Sequence, residues 1–368
     1  MTTASAPPRQ GPSLSGNSLR AGRLPRWAEP VVLLAVAAVV AIAFLLIGFS
    51  LTGWVIVTAI LYVVAIGVVS ALVENRRKAT DRVVRALVTI AFLLAMLPLV
   101  STLWTVIANG IGQLNWDFIS QTGGARFDPE TLEVTTTPGA LQAVVGTLEI
   151  TGIAAIISIP IGLLTAIYLV EYSRPNQPVR RIVTFLVDVM TGIPSIVAGL
   201  FAFSLFTLLV GPKAFSGFSA SIALCVLMIP IVVRSSEEML RLVPDELREA
   251  SYALGVTKSR TITKVVLRTA LAGLVTGIVL AIARVVGETA PIFIAASFTD
   301  NFNANPFNGP MQTLPVLAYT GYKFPGQDIA ASNASAWGAA LLLVILVVIF
   351  NLIARLVARF FAPKTGRR

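Results

Sequence analysis

Long apolar runs dominate the chain and are separated mostly by short polar connections. Eight runs are long enough to cross a bilayer as a helix, which takes about 20 residues. Hydropathy predicts these spans at residues 30–49, 54–73, 86–108, 140–170, 182–210, 218–239, 270–296 and 337–361. The pattern therefore predicts an all-α, multi-span membrane protein.

Three polar stretches are longer than a tight connection requires. Two of them, 111–138 and 298–336, are rich in Gly, Asn and Thr. They are either loose loops or a surface for an extracytoplasmic partner, and the pattern leaves both open. The third, which we call the 241–268 segment, is charged and helix-forming although apolar spans flank it. By itself it could be an amphipathic surface helix without a partner.

Composition supports the membrane class. The chain is 56% hydrophobic and 12% charged, whereas soluble domains carry about 25% charged residues. Its formal charge of +10 would suggest nucleic acid for a soluble chain. Here the position of the basic residues matters more, because basic residues accumulate in cytoplasmic loops.

The basic residues fall mainly on one side of the predicted spans. That side holds Arg9, Arg20, Arg23, Arg26, Arg76, Arg77, Lys78, Arg82, Arg85, Arg174, Arg180, Arg181, the 241–268 segment, Arg355, Arg359, Lys364, Arg367 and Arg368. The opposite side holds only Arg126, Lys213 and Lys323. We therefore predict a cell-membrane protein with both termini cytoplasmic, whose charge contacts membrane lipid rather than nucleic acid.

The N-terminal apolar runs predict a retained helical hairpin and not a cleaved signal peptide, since a second span follows the first almost at once. The predicted organisation is a disordered tail over 1–28, an extra transmembrane hairpin over 29–82, and a transmembrane domain over 83–368. The role of the hairpin is not evident from the sequence.

Several enzyme classes are excluded by missing residues. The chain has no histidine and a single cysteine, Cys225. A Ser-His-acid triad and a His-based metalloprotease site are thus impossible. No Gly-rich phosphate loop of the Walker A kind is present, so this chain cannot hydrolyse ATP in that way. We predict no bound cofactor, no metal and no catalytic residue.

Two charged residues stand inside the predicted span 270–296. Arg284 and Glu288 are four residues apart, so on a continuous helix they share a face. A charge at bilayer depth costs at least ~2.5–3.5 kcal/mol, which favours an interior lined by protein or water. An arginine fork suits an oxyanion because it donates paired hydrogen bonds. The alternative is a structural salt bridge between helices.

Further polar candidates are weaker. Arg234 follows Pro230 near one end of its span, where an arginine also often extends to the membrane interface. Thr289 offers a hydroxyl donor. Glu149 and Asp188 could each pair with an arginine, but as acids they would repel an anion and are not expected to be ligands.

Four prolines, Pro160, Pro194, Pro230 and Pro291, are expected to interrupt or bend the spans that contain them. The sequence Gly192-Ile-Pro194 is the best hinge candidate. For Pro160 an ordinary kink is an equal alternative.

Motifs give a more specific indication. Glu249-Ala-Ser251 followed by Gly255 resembles the EAA loop of ABC-transporter permeases, although its far end, residues 265–268, departs from that pattern. The segments 192–201, 230–238, 283–291 and 313–319 occur in the order found in PstA-type permeases of phosphate-specific ABC importers. Gly287-Glu-Thr-Ala-Pro291 is the part that points to phosphate. The resemblance covers about residues 83–368.

This resemblance implies a six-span permease core. It implies that a cytoplasmic ABC ATPase dimer, which uses the ATP, docks on a helix of the 241–268 segment. It further implies a second homologous permease, an extracytoplasmic phosphate-binding protein, and inorganic phosphate as substrate. The implied docking residues are Glu249, Ala250, Ser251, Ala253, Leu254 and Gly255. The implied pathway residues are Arg284, Glu288, Arg234 and Thr289, and the implied hinge is Gly192 with Pro194.

Other functions remain as alternatives. The substrate could be another oxyanion, such as sulfate or phosphonate. An ion-gradient-driven secondary transporter is less favoured, because such proteins often contain internal repeats and this chain shows none. A membrane sensor or scaffold would leave Arg284 and Glu288 without a role.

Overall fold

The computed structural model describes residues 24–25, 27–128, 133–174, 176–212, 214–326 and 328–361. It contains two compact units, Met1–Leu103 and Trp104–Arg368. The disordered tail predicted for 1–28 falls outside the described residues except for positions 24, 25, 27 and 28.

The first unit contains a helical hairpin. Helix α1 (Ala28–Ile47) and α2 (Leu51–Val73) are followed by α3 (Arg76–Gly110), within which the unit ends. Ser50 begins α2 by accepting a hydrogen bond from the Gly53 backbone. A Cβ at Gly53 would lie 2.8 Å from the Phe44 ring, so this glycine permits the close approach of α1 and α2.

An ion cluster joins one end of these helices. Arg82 donates to Glu74 at 2.9 Å and to Glu29 at 2.6 Å, and the Glu74 side chain is only 3% exposed. The hydrogen bond from Arg82 lowers the pKa of Glu74 from its ordinary value of 4.5 to about 2. The stabilisation from this carboxylate is thus complete above pH ~4.5 and lost as the pH falls towards 2.

The second unit begins with structured connections. After the 3₁₀ turn Ile111–Gln113 come α4 (Trp116–Ser120) and the antiparallel strands β1 (Gly124–Asp128) and β2 (Glu133–Thr137). The region 111–138, predicted as a loop, therefore holds a small sheet that the all-α prediction did not include. Strands this short and polar leave no periodic apolar signal in the sequence.

The rest of the second unit consists of helices and their connections, and its described residues contain no further strand. Its elements are α5 (Leu141–Ile167), the π-turn Tyr168–Tyr172, α6 (Pro178–Thr191), α7 (Ser195–Val210), α8 (Gly217–Arg241), α9 (Asp245–Ala253), α10 (Lys258–Thr261), the π-turn Ile262–Val266, α11 (Leu267–Val286), α12 (Ala290–Ala296), α13 (Leu314–Lys323) and α14 (Ile329–Phe361).

Seven described helices are long and apolar enough to cross a membrane, or eight if the bent pair α6–α7 counts as one span. Counted in the second way, six spans follow the α1–α2 hairpin, as predicted. The predicted span 182–210 is bent by 106° between α6 and α7. The predicted span 270–296 is wrong in its bounds, because the long helix runs over Lys258–Val286. It ends there since Gly287 follows and Pro291 cannot continue the hydrogen-bond ladder.

Helix α8 forms the centre of the second unit and packs most closely against α5. The Ser221 hydroxyl donates to the carbonyl of Ile150 at 3.0 Å, and a Cβ at Gly162 would lie 2.7 Å from the Val232 side chain. Both helices continue through their prolines, Pro160 and Pro230, so these two residues do not interrupt their spans. The α5–α8 pair is thus a continuous scaffold.

Candidate functional sites

Helix α9 lies at the centre of the 241–268 segment. It begins after Pro244 with two acidic residues, Asp245 and Glu246, in its first turn, where the helix dipole favours negative charge. It ends before Gly255, whose φ of +72° is left-handed and therefore suits glycine. Gly255, expected on this helix, instead follows its end.

The two sides of α9 differ in exposure. Ala250, Ala253 and Leu254 are exposed, and Leu254, at 83%, is the most exposed of the large apolar side chains in this segment. Glu249 is exposed too and makes no ion pair within the described chain. These four side chains are therefore available to a partner, as expected for a docking surface.

Ser251 faces the other way. It is buried, and its hydroxyl lies 2.8 Å from that of Thr261 on α10. The Ser251 carbonyl also accepts from the backbone of Val256. Ser251, predicted among the coupling residues, is therefore not on the exposed side of α9, because this side chain closes the α9–α10 turn internally.

Arg248 attaches α9 to two long helices. Its guanidinium donates to Glu171 at 2.9 and 3.2 Å, to the carbonyls of Leu240 and Val243 at 3.0 and 2.6 Å, and to Asp245 at 3.0 Å. The Arg248 side chain is 13% exposed and that of Glu171 is 5% exposed. Sequence reasoning missed this pair, since no spacing rule connects residues 77 positions apart.

The hinge candidate lies at the α6–α7 bend. Gly192 ends α6 with ordinary helical angles, and Pro194 precedes α7 in extended geometry. A Cβ at Gly192 would meet only ordinary contacts, so this glycine is not required by the static bend. The space around Gly199 of α7 is smaller, because a Cβ there would lie 2.7 Å from Pro291 of α12. The bend exists as predicted, and whether it moves stays a prediction.

Arg284 and Glu288 do not share a helix. Arg284 lies in the last turn of α11, whereas Glu288 follows Gly287 outside the helix. No salt bridge joins them, and neither pairs with any other charged side chain that the structure describes. The prediction that Glu288 shares a helix face with Arg284 is therefore wrong. Thr289, half-buried, precedes α12 instead of extending α11.

Arg234 lies in an ion cluster between α6 and α8. It donates to Asp188 of α6 and, at 2.9 Å, to Glu237 one turn further along α8. Glu237, only 7% exposed, also accepts from Arg241. The expectation that Asp188 could pair with an arginine is confirmed. Glu149 differs, since one of its carboxylate oxygens is buried without a hydrogen-bond partner in the described structure.

The two arginines lie at different levels of the α8–α11 pair. A Cβ at Gly277 of α11 would lie 2.8 Å from Ser235, which follows Arg234 on α8. Arg284 is seven residues beyond Gly277, and a helix rises 1.5 Å per residue. Arg284 therefore lies roughly 10 Å further along the helix axis than Arg234.

Comparison with known proteins gives a consistent result. Residues 158–367 match the family described as "Binding-protein-dependent transport system inner membrane component". The chain is 44% identical to "Phosphate transport system permease protein PstA 1" of Mycobacterium tuberculosis over 79% of this chain and 91% of that protein. It is 36% identical to the PstA protein of Pasteurella multocida over 78% and 97%.

Solved structures agree on the fold. The MetNI methionine ABC transporter, in inward-facing conformations, matches with 25% identity and a TM-score of 0.50, over 61% of this chain and 96% of that one. A bacterial alginate ABC transporter matches with 13% identity and a TM-score of 0.55, over 78% and 97%.

These matches, together with the spans and the α9–α10 turn, define a multi-span membrane permease of a binding-protein-dependent transport system. Within that class, the chain belongs to the PstA family of phosphate transport system permeases.

Proposed function

We propose that this chain is the membrane permease of an ATP-driven importer and carries inorganic phosphate across the membrane. A separate cytoplasmic ABC ATPase dimer docks on α9. A second homologous permease completes the pathway, and an extracytoplasmic binding protein delivers phosphate. Both chain termini and the 241–268 segment lie on the cytoplasmic side, where the positive-inside rule puts them.

The observation that carries this proposal is the extent of the similarity to a phosphate permease. A match of 44% identity over 79% of the chain leaves about a fifth uncovered at the ends. It therefore includes both α9 and Arg284 wherever it begins. Because the similarity includes both the proposed ATPase-docking helix and the proposed phosphate pathway, it supports the same kind of partner and the same substrate for this chain.

Arg284 supports an anion pathway physically. It is exposed on an apolar helix, and no described acid neutralises it. Since an unpaired arginine facing lipid costs at least ~2.5–3.5 kcal/mol, it is expected to face a water-lined pathway or the second permease. The planar guanidinium of Arg284 can donate paired hydrogen bonds to two oxygens of a phosphate ion.

Arg234 provides a second cationic position on the path. In this structure it is held by Asp188 and Glu237, so an arriving anion has to displace a carboxylate to bind it. We propose that Arg234 receives phosphate by this exchange, roughly 10 Å along the helix axis from Arg284. Thr289 and Glu288, both half-buried beyond the end of α11, border the Arg284 position.

Reconstitution tests the proposed function. The chain, assembled with its ATPase and second permease in liposomes, should take up radiolabelled phosphate only when ATP and the binding protein are present. Excess unlabelled phosphate should compete and excess sulfate should not. Uptake of sulfate in preference to phosphate would contradict the proposed substrate, and uptake without ATP would contradict the importer class.

Replacing Gly255 should uncouple transport. Gly255→Leu forces a Cβ into a left-handed position, at a cost of roughly 1–2 kcal/mol, and adds bulk beside exposed Leu254. We expect the variant chain to reach the membrane normally, while co-purified ATPase and phosphate uptake both fall by about tenfold, as a cost near 1.4 kcal/mol implies.

Two glycine variants are matched controls for this experiment. Gly255→Asn should retain most activity because asparagine tolerates left-handed geometry. Gly152→Ala should also be active, since this glycine lies inside α5 and a Cβ there would meet nothing within 4 Å. Normal ATPase binding and uptake by Gly255→Leu would show that this turn does not dock.

Cysteine labelling should establish the orientation. Ala304 and Thr257 are both exposed, and the only native thiol, Cys225, is buried. With a membrane-impermeant maleimide, Ala304→Cys should react on intact cells and Thr257→Cys only after the membrane is opened. Gly124 is a poor labelling site, because its Cβ would lie 2.6 Å from that of Asp300. Reaction of Thr257→Cys on intact cells would reverse the proposed orientation.

A further inference from the structure

The tightest polar attachment of α9 is not on its exposed side but on the side that faces its own chain. Arg248 makes five hydrogen bonds there, which use every N–H of its guanidinium. Two of them go to the carbonyls of Leu240, in the last turn of α8, and of Val243, just beyond the end of that helix. Two others go to Glu171, in the π-turn that ends α5.

Arg248 therefore contacts the ends of both scaffold helices at once. Because its partners are fixed backbone carbonyls and a nearly buried carboxylate, α9 cannot rotate or shift without changing these bonds. The neighbouring residue on the π-turn adds a second attachment, since Lys258 of α10 lies 4.8 Å from the centre of the Tyr172 ring. The end of α5 thus contacts both α9 and α10.

At its other end, α5 contacts the connections between spans. Gln142 exchanges hydrogen bonds with the Gly123 backbone at 3.2 and 3.1 Å, and the Thr147 hydroxyl accepts from the backbone of Leu314 at 2.8 Å. Helix α5 is therefore attached at one end to the 111–138 and 298–336 regions and at the other to α9.

We propose that Arg248 and Glu171 are positioning residues that pass movement of α9 to α5 and α8, and so convert ATPase action into phosphate movement. The proposal rests on the proposed function, because it requires an ATPase on the exposed side of α9. Neither residue is on that side, which is formed by the exposed residues Ala250, Ala253 and Leu254.

The test measures phosphate transported per ATP hydrolysed in the reconstituted complex. Arg248→Gln and Glu171→Gln should keep the ATPase bound and hydrolysing, while this ratio falls by about 2- to 30-fold, the range for residues that transmit coupling. Arg248→Lys should restore little, because a point charge cannot make five bonds in fixed directions. Glu238→Gln, which removes an exposed charge of α8 that forms no ion pair among the described residues, is the matched control and should leave the ratio unchanged.

Glu171→Asp keeps the charge but withdraws it by one methylene, so it is expected to fold even where Glu171→Gln does not accumulate, with a smaller fall in the ratio. A wild-type ratio in every variant that reaches the membrane overturns the proposal. A wild-type chain that binds no ATPase refutes the proposed function instead. Loss of the ATPase from Arg248→Gln would also overturn the proposal, since the residue would then support docking and not transmission.

Discussion

Arg284→Gln should reduce phosphate uptake by about 100-fold or more while leaving the amount of chain in the membrane unchanged. The physical reason is that Arg284 has no described ion-pair partner to lose, so its removal leaves no buried carboxylate uncompensated. The variant lacks the planar guanidinium that can donate to two oxygens of the anion. Each such hydrogen bond to a charged group is worth about 1.5–3 kcal/mol. The measurement is ATP-driven uptake in liposomes, normalised to chain content.

Three variants make this test specific. Arg284→Lys should recover only part of the uptake, because an ammonium does not reproduce the planar fork. Arg268→Gln, which removes another exposed arginine, from the beginning of α11, should change little. Exchanging Arg284 and Glu288 should not restore uptake, since the two residues do not share a helix. Normal uptake by Arg284→Gln would exclude the pathway role, and loss of the chain from the membrane would indicate a structural one.

Arg234→Gln should lower uptake by at least about tenfold with only a small loss of stability. Arg234 is 36% exposed and Asp188 58% exposed, so their mutual attraction is largely screened and worth ~1 kcal/mol or less. Glu237, the buried member of the cluster, keeps Arg241 as a partner after the change. The measurements are uptake, as for Arg284, and thermal denaturation of the purified complex.

Asp188→Asn decides what the Arg234 pair does. If Asp188 only occupies the guanidinium until phosphate displaces it, this variant should retain uptake within about twofold, because a neutral amide releases Arg234 more easily. If Asp188→Asn loses as much uptake as Arg234→Gln, the pair is a structural tie between α6 and α8. That result would remove Arg234 from the pathway and leave Arg284 as the single proposed cation.

Much of the fold follows from hydropathy, because a bilayer-spanning helix needs a long apolar run and such runs are visible locally. The hairpin α1–α2 and the bend at Pro194 were predictable for that reason. The end of α11 at Val286 was harder, since the apolar run continues into α12 past Gly287 and the two charged residues look like one helix face. There a glycine followed by Pro291 outweighs the hydropathy signal.

The site was only partly predictable for a different reason. Motif residues such as Gly255 and Leu254 can be recognised from their residue types and spacing, and both are exposed in the structure. The ion-pair partners of Arg234 and Arg248 cannot be recognised in this way, because Asp188 and Glu171 lie 46 and 77 residues away in the chain. The burial of Ser251 was not predictable for a related reason: its position in a motif does not show which side of a short helix faces the rest of the chain.

The two π-turns, Tyr168–Tyr172 and Ile262–Val266, have a consequence for how the length of this chain can vary. A π-turn contains one residue more per turn than an α-helix, so each behaves as a single-residue insertion that the helix has absorbed. The first turn follows the last residue of α5, and the second lies inside the long helix Lys258–Val286, directly after α10. Single-residue insertions and deletions in relatives should therefore concentrate at these two turns, where the chain can gain or lose a residue while the packed spans keep their register.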